Sequence, residues 1–334
     1  MNADREIRWG IVGPGRIAAK VVQDFPYADQ ATAFAVASRS MDRARAFADQ
    51  YGLERAYASY PELIADPDVD VLYIATPHPQ HHAIALAAIE AGKAVLVEKT
   101  FTATVAGAEE VIAAARARRV FAMEAMWTRF QPAIVAAREL IADGAIGEVR
   151  QVQADLGVDR PYDPTDRLFD PAQGGGAMLD LGVYVVSIVQ HFLGNPDRVS
   201  VSGSLAPTGV DAEAGLLLGY ADGRAASLLI SLRNPTPGMA RIHGTKGWIE
   251  IPPRFHHPGR IVLQRTGRPP ETIERPPQGT GYSHELVEVT QCLLAGRTES
   301  SVMPLADTLA VQRIVNEACE QLGVVHAEDA SVLG

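Results

Sequence analysis

The sequence predicts an α/β chain in two parts: a doubly wound parallel sheet of the Rossmann type, followed by an α+β half built on a large open, mostly antiparallel sheet. Three observations predict it. A glycine-rich turn, Gly13-Pro14-Gly15-Arg16-Ile17-Ala18, directly follows an apolar run at residues 8–12. Short apolar strands then alternate with amphipathic helices to about residue 123, as βαβ units do. From residue 148 the hydrophobic pattern changes to period two, the mark of half-exposed strands. With 334 residues the chain exceeds one ordinary domain and suits two, expected at residues 1–125 and 126–334, the second including the C-terminal helices.

The elements follow in order. Residues 8–12 form the first strand and residues 31–37 the second. Tyr60-Pro61 starts a short helix that stops at Asp66-Pro67. Strands at 69–75, 94–97 and 120–123 enclose helices at 82–91, closed by Gly92, and at 104–119. A helix at 132–143 leads to the alternating strand 148–154. Strands 213–220 and 224–232 flank Ala221-Asp222-Gly223, and strands 239–243 and 248–251 flank Gly244-Thr245-Lys246-Gly247; both pairs read as hairpins. The helix 179–192 is expected to cover one face of this sheet, and helices at 284–295 and 305–322 close the chain. Leu216, Leu218, Leu228 and Ile230 are expected on the uncovered face, where a homodimer or homotetramer would hide them.

Composition excludes several classes. The formal net charge of −10 argues against a nucleic-acid partner, whose phosphates demand a basic surface. Two cysteines, Cys292 and Cys319, form no C-x-x-C, so neither a disulfide framework nor a thiolate cluster is expected. The polar start leaves no room for a signal peptide's apolar region, and no apolar run reads as long enough to span a bilayer. The expectation is a cytoplasmic protein with a small-molecule partner.

The candidate chemistry begins at the glycine turn. The pattern G-x-G-x-x-A at Gly13, Gly15 and Ala18 lets backbone N–H groups at Gly13, Gly15, Arg16 and Ile17 face a dinucleotide pyrophosphate at a helix N-terminus; glycines also serve ordinary tight turns. About 20 residues on, an acid would hold the ribose 2′-hydroxyl of NAD. Ser38-Arg39-Ser40 with Arg43 stands there instead, a hydroxyl and two guanidinium groups suited to a 2′-phosphate, so NADP is expected over NAD. Arg39 and Arg43 on a solvated helix start are the plainer reading.

Three further segments fall at predicted strand ends, where open α/β sheets bind ligands. Thr76-Pro77-His78-Pro79-Gln80-His81 passes from strand to helix through two prolines; these residues either line the nicotinamide or cap the helix. No cysteine or clustered acid completes a ligand set around these histidines, so no metal is expected. Residues 95–97 deliver Glu98 and Lys99 into the same cleft, where a lysine can do proton work or lie along the surface. Gly174-Gly175-Gly176 reads as a flexible loop entering a helix on which Asp180 and Tyr184, four residues apart, share one face. They reach one substrate hydroxyl, or the acid satisfies a core tyrosine.

With these motifs in place the chain resembles, end to end, the Gfo/Idh/MocA oxidoreductases, which include glucose-fructose oxidoreductase and inositol dehydrogenase. The family's E-K-P motif falls on Glu98-Lys99-Thr100; the bond before its third position is often cis, and with Thr100 in place of proline both cis and trans stay open here. Residues 123–132 and 174–184 look most like the branch of dimeric dihydrodiol dehydrogenases and NADP-dependent D-xylose dehydrogenases. That resemblance implies Lys99 and Tyr184 as catalytic residues, with Asp180 orienting Lys99 or binding a second hydroxyl. Trp127 and Arg129 would wall the substrate and carboxamide side. It implies hydride transfer between a carbohydrate or polyol CH–OH and NADP, by an aldose 1-dehydrogenase such as one for D-xylose or by a trans-dihydrodiol dehydrogenase. The family also contains non-catalytic NADP-binding regulators that sense sugar-like ligands; retention of Lys99, Asp180 and Tyr184 argues against that alternative.

Overall fold

A computed structural model describes residues 5–333. They divide into two compact units: residues 5–126, 278–309 and 327–333 belong to the first, and residues 127–277 and 310–326 to the second.

The first unit is built on a six-stranded parallel sheet in the order β3-β2-β1-β4-β5-β6. Its strands are β1 (Ile7–Val12), β2 (Ala31–Ala37), β3 (Arg55–Tyr57), β4 (Val71–Ile74), β5 (Ala94–Glu98) and β6 (Ala122–Ala125). The central strands are apolar and buried on both faces, as a sheet covered by helices on both sides requires. The helices are α1 (Arg16–Val22), α2 (Met41–Tyr51), α3 (Tyr60–Ile64), α4 (His81–Glu90) and α5 (Val105–Arg118). Side chains at their starts satisfy orphan N–H groups: Ser40 accepts from Arg43 N–H on α2, Ser59 from Glu62 N–H on α3 and Thr104 from Gly107 N–H on α5. Because β2 and β4 leave β1 in opposite directions, the sheet order reverses beside β1, and the carboxyl ends of β1 and β4 frame the crevice typical of such sheets.

The second unit carries an eight-stranded sheet in the order β14-β13-β12-β11-β7-β10-β9-β8. These strands are β7 (Val149–Gly157), β8 (Arg198–Leu205), β9 (Asp211–Gly219), β10 (Ala225–Ser231), β11 (Ala240–Gly244), β12 (Gly247–Ile251), β13 (Arg260–Arg265) and β14 (Glu271–Glu274). Only β7 and β10 run parallel; every other neighbour is antiparallel, including both hairpins expected from the sequence. Helices α6 (Pro132–Ala142) and α7 (Val183–Leu193) cover one face. The chain closes with α8 (Ser283–Leu294) and α9 (Leu305–Leu322).

Several expectations are corrected. The C-terminal segments do not all belong to the second unit: α8 joins the first, because the Asp24 carboxylate accepts the N–H groups of Thr280, Tyr282 and Ser283 at the start of that helix. The chain's end returns as well, with Glu328 accepting from the Thr104 N–H and hydroxyl, both at 2.8 Å. Leu216, Leu218, Leu228 and Ile230 lie on the helix-covered face, not the open one. Their alternates Leu217 and Leu229 are the exposed ones, at 57% and 58%; in a period-two strand the apolar pattern sets the two faces, not which face a helix covers. Pro171–Leu193 is long and apolar enough by composition to cross a membrane, yet most of it is buried as core.

Candidate active site

In the first unit the ends of β1, β4 and β5 lie side by side on the carboxyl edge. Gly13 has φ +89°, a left-handed conformation that suits glycine, and a Cβ there would come 3.2 Å from the Thr76 methyl. The Gly13 N–H is bonded to the Ala37 carbonyl, tying the turn to the end of β2, while a Cβ on Gly15 would meet only the Ala75 carbonyl oxygen, at 4.0 Å. Arg16 is exposed and Ile17 partly buried at the start of α1, and Ala18 is buried against the sheet. The Thr76 hydroxyl beside this turn is buried and without a hydrogen-bond partner among the described residues. A vacant donor beside a glycine turn at the sheet's reversal point fits a phosphate-bearing dinucleotide.

Just past β2, Arg39 and Arg43 are exposed. Ser38 is buried, its hydroxyl accepting from Ser40 N–H at 3.3 Å. Pro77 is partly buried and His78 buried at the start of the next turn. His81 is fully buried, and this corrects its expected place on the nicotinamide: its ring nitrogens lie 2.8 Å from the Thr76 carbonyl and 2.9 Å from the Thr100 carbonyl. It braces the two loops, while complete burial lowers its pKa.

The segment after β5 is held from three sides. Glu98 accepts from the Lys99 N–H, His81 bridges to Thr100, and Glu124 on β6 accepts from the Phe101 N–H at 3.1 Å. The Lys99–Thr100 peptide bond is cis. Glu98 is buried and does not present a free carboxylate to a cofactor, a second correction: one oxygen accepts from the Tyr73 hydroxyl at 2.5 Å and the other from the Lys99 backbone. Burial and the nearby Glu98 raise the Tyr73 phenol well above its ordinary range. Desolvation pushes the buried Glu285 on α8 well above the carboxylate range, with Glu98 and Asp24 adding to it. Lys99 is partly exposed at the end of this braced segment.

In the second unit Trp127 opens a short 3₁₀ turn, Trp127–Phe130, and its indole N–H donates to the Tyr184 hydroxyl oxygen at 3.1 Å. The Tyr184 ring lies 5.2 Å from that of His256, and Trp127 lies 5.3 Å from His257. Thr128 holds this histidine loop by donating to the His256 carbonyl at 2.8 Å. Neither histidine was legible as a site residue, since the loop between β12 and β13 carries no motif. Arg129 is fully buried, contrary to its expected place on the cofactor: its guanidinium donates to Ser187 and Gln190 on α7 and so secures the turn that presents Trp127.

Asp180 does not sit on a regular α-helix. Met178–Gly182 is a π-helical segment, a feature often found at functional sites, and α7 begins only at Val183. Asp180 is paired with Arg167 at 3.0 Å, a partner the spacing argument did not supply. The triple-glycine stretch is buried, not a flexible loop: Gly175 N–H bonds to the Asp170 carbonyl and Gly176 N–H to the Leu168 carbonyl. Gly176 has φ +120°, and a Cβ there would overlap Asp211, whose carboxylate accepts from Met178 N–H at 2.5 Å and so anchors the π segment's start. The structure thus brings Trp127, Tyr184, His256 and His257 together and pairs Asp180 with Arg167.

Comparison with known proteins agrees with the fold of both units. A model described as "Oxidoreductase family, NAD-binding Rossmann fold" matches residues 7–126, and one described as "GFO/IDH/MocA C-terminal domain" matches residues 134–250. The chain is 38% identical over 333 residues to mouse trans-1,2-dihydrobenzene-1,2-diol dehydrogenase, covering 97% of this chain and 99% of that one. The human protein of the same name is 37% identical over 336 residues, with 97% and 99% covered. Among solved structures, the aldose-aldose oxidoreductase of Caulobacter crescentus, complexed with glycerol, matches with TM-score 0.87 at 28% identity, covering 96% of this chain and 98% of that one. KijD10, a 3-ketoreductase of Actinomadura kijaniata in complex with NADP, matches with TM-score 0.83 at 25% identity, covering 97% and 100%.

Proposed function

The chain belongs to the Gfo/Idh/MocA oxidoreductase family, and from that premise we propose that it oxidises a secondary or anomeric CH–OH group of an aldose-like substrate with NADP. Its place among CH–OH dehydrogenases fixes the reaction class; substrate, cofactor preference and residue roles are our reading. NADP, when bound, supplies the hydride acceptor. Arg16, Ile17 and Thr76 would hold its phosphates where the Gly13-Pro14-Gly15 turn leaves room for them, and the exposed Arg39 and Arg43, beyond Ser38 where an acid would otherwise end β2, would favour a 2′-phosphate.

Tyr184 takes the substrate hydroxyl proton. The observation that carries this assignment is the Trp127 N–H donated to its oxygen: an indole is a donor only, so it favours the charged phenolate over the neutral phenol. Lys99 is assigned the cation that favours the same form, resting on the likeness of Glu98-Lys99-Thr100 to the family motif. Asp180, oriented by Arg167, is assigned to accept from a second substrate hydroxyl, in the way polyhydroxylated substrates are oriented. The partly exposed imidazoles of His256 and His257 add hydrogen-bonding edges beside Tyr184, which favours an aldopyranose such as xylose over an arene dihydrodiol.

The open face of the eight-stranded sheet, with Leu217 and Leu229 exposed, would be covered in a homodimer or homotetramer. The test of the catalytic assignment is Tyr184→Phe, which is expected to reduce kcat strongly with NADP affinity unchanged; near-normal kcat would overturn the assignment.

A further inference from the structure

Away from these residues, the second unit brings together an acid, a thiol and an imidazole from three separated places in the chain. Asp211 opens β9, Cys319 lies in the last turns of α9, and His326 follows that helix by four residues. One potential ligand atom from each lies within 4.8 Å of the others. Asp211 is fully buried and Cys319 nearly so, while His326 is half-buried. Two polar atoms of the cluster, Asp211 Oδ1 and His326 Nε2, are buried without a hydrogen-bond partner among the described residues. Leaving both unmatched in the interior is costly, and a single group that accepts electron pairs from both would relieve it.

We infer that Asp211, Cys319 and His326 form a binding site for one divalent transition-metal ion of the zinc type. The donor set is one oxygen, one sulfur and one nitrogen, which suits a borderline-soft tetrahedral ion and leaves a fourth position for water. Bond lengths of about 2.0–2.3 Å in such a site place ligand atoms roughly 3.3–3.8 Å apart. The cluster would close to that size by a shift of about an ångström, taken up at His326, which lies outside any helix or strand beyond Gly323, the φ +76° residue that ends α9. On binding, the Cys319 thiol loses its proton to solvent and the thiolate bonds to the ion.

The ion would also act on the catalytic half. The Asp211 carboxylate holds the Met178 N–H, the first residue of the π segment that carries Asp180 and leads to Tyr184. Drawing its other oxygen onto a metal fixes that anchor and ties β9 to the end of α9.

The test uses the full-length protein, stripped with a chelator and titrated with Co2+ as a spectroscopic stand-in for Zn2+. The expected result is one ion per chain, tetrahedral d–d absorption, and a thiolate-to-cobalt charge-transfer band. The band should vanish in Cys319→Ser and persist in Cys292→Ser. Zn2+ should displace Co2+ and raise the wild-type Tm without raising that of His326→Gln, the variant that carries the test if Cys319→Ser does not fold. Absence of the band in the wild type, its survival in Cys319→Ser, or an equal Tm rise in His326→Gln would overturn the inference.

Discussion

Replacing Trp127 by phenylalanine removes the indole N–H together with part of a buried ring, and pairing it with Tyr184→Phe separates the hydrogen bond on which the assignment of Tyr184 rests from the lost packing. The indole nitrogen lies 3.1 Å from the phenol oxygen, while the ring stacks edge-on against His257 at 5.3 Å, a contact a phenyl ring largely keeps. A hydrogen bond to a charged partner is worth about 1.5–3 kcal/mol. Applied to a phenolate formed on the reaction path, that loss slows kcat by roughly 10- to 150-fold and moves the acidic limb of the pH profile, the one a general base sets, up by about one to two units. The assay is steady-state turnover of wild type, Trp127→Phe, Tyr184→Phe and the double variant. If the bond acts through the phenol oxygen, Trp127→Phe costs little in the Tyr184→Phe background. An equal cost in both backgrounds, or a change confined to KM, would refute the reasoning.

Other expectations follow from charges and burial. Arg39→Ala with Arg43→Ala should raise KM for NADP by about 10-fold or more, the worth of one charge-assisted phosphate contact, and leave KM for NAD nearly unchanged; parallel titrations of the two cofactors check it. Glu285 is buried and its pKa is raised, so the stability linked to its proton is full below the ordinary carboxylate range near 4.5 and declines as pH rises. Glu285→Gln should therefore gain Tm relative to wild type at pH 8 and gain less at pH 5. His191 accepts from Arg138 at 3.1 Å, and burial together with Arg129 and Arg138 lowers its pKa to about 2. A depressed histidine contributes stability above its ordinary pKa of 6.5 that is lost as pH falls, with a limiting slope of about 1.4 kcal/mol per pH unit. Denaturant midpoints between pH 7 and pH 5 should fall less in His191→Gln than in the wild type.

Local chemistry made much of this molecule readable. Gly13-Pro14-Gly15 announced the turn from β1 into α1, Tyr60-Pro61 a helix start and Asp66-Pro67 its stop, and the Asp222-Gly223 turn a hairpin, because each depends only on its neighbours. What stayed hidden depends on partners distant in sequence. The short edge strand Arg55–Tyr57 and the polar strand β14 have too little apolar pattern to register, and β13 offers only the three apolar residues 261–263. The open face of the second sheet was assigned to the wrong alternates because periodicity does not say which face a helix covers. Arg129 and His81 are polar residue types that a motif places near a ligand, yet their hydrogen bonds to Gln190, Thr76 and Thr100 draw them inside. Arg167 and His256 entered the candidate site only through the chain's path, since neither belongs to a motif.

The central claim is that Tyr184 serves an NADP-linked oxidation of a sugar-like CH–OH group. Its most direct test is NADPH formation by the purified protein with a panel of aldoses, inositols and trans-dihydrodiols, run with NAD in parallel and repeated with Tyr184→Phe. The account predicts turnover of an aldose with NADP and its near loss in the variant. Silence across the panel with NADPH binding intact, or equal turnover by Tyr184→Phe, would contradict it.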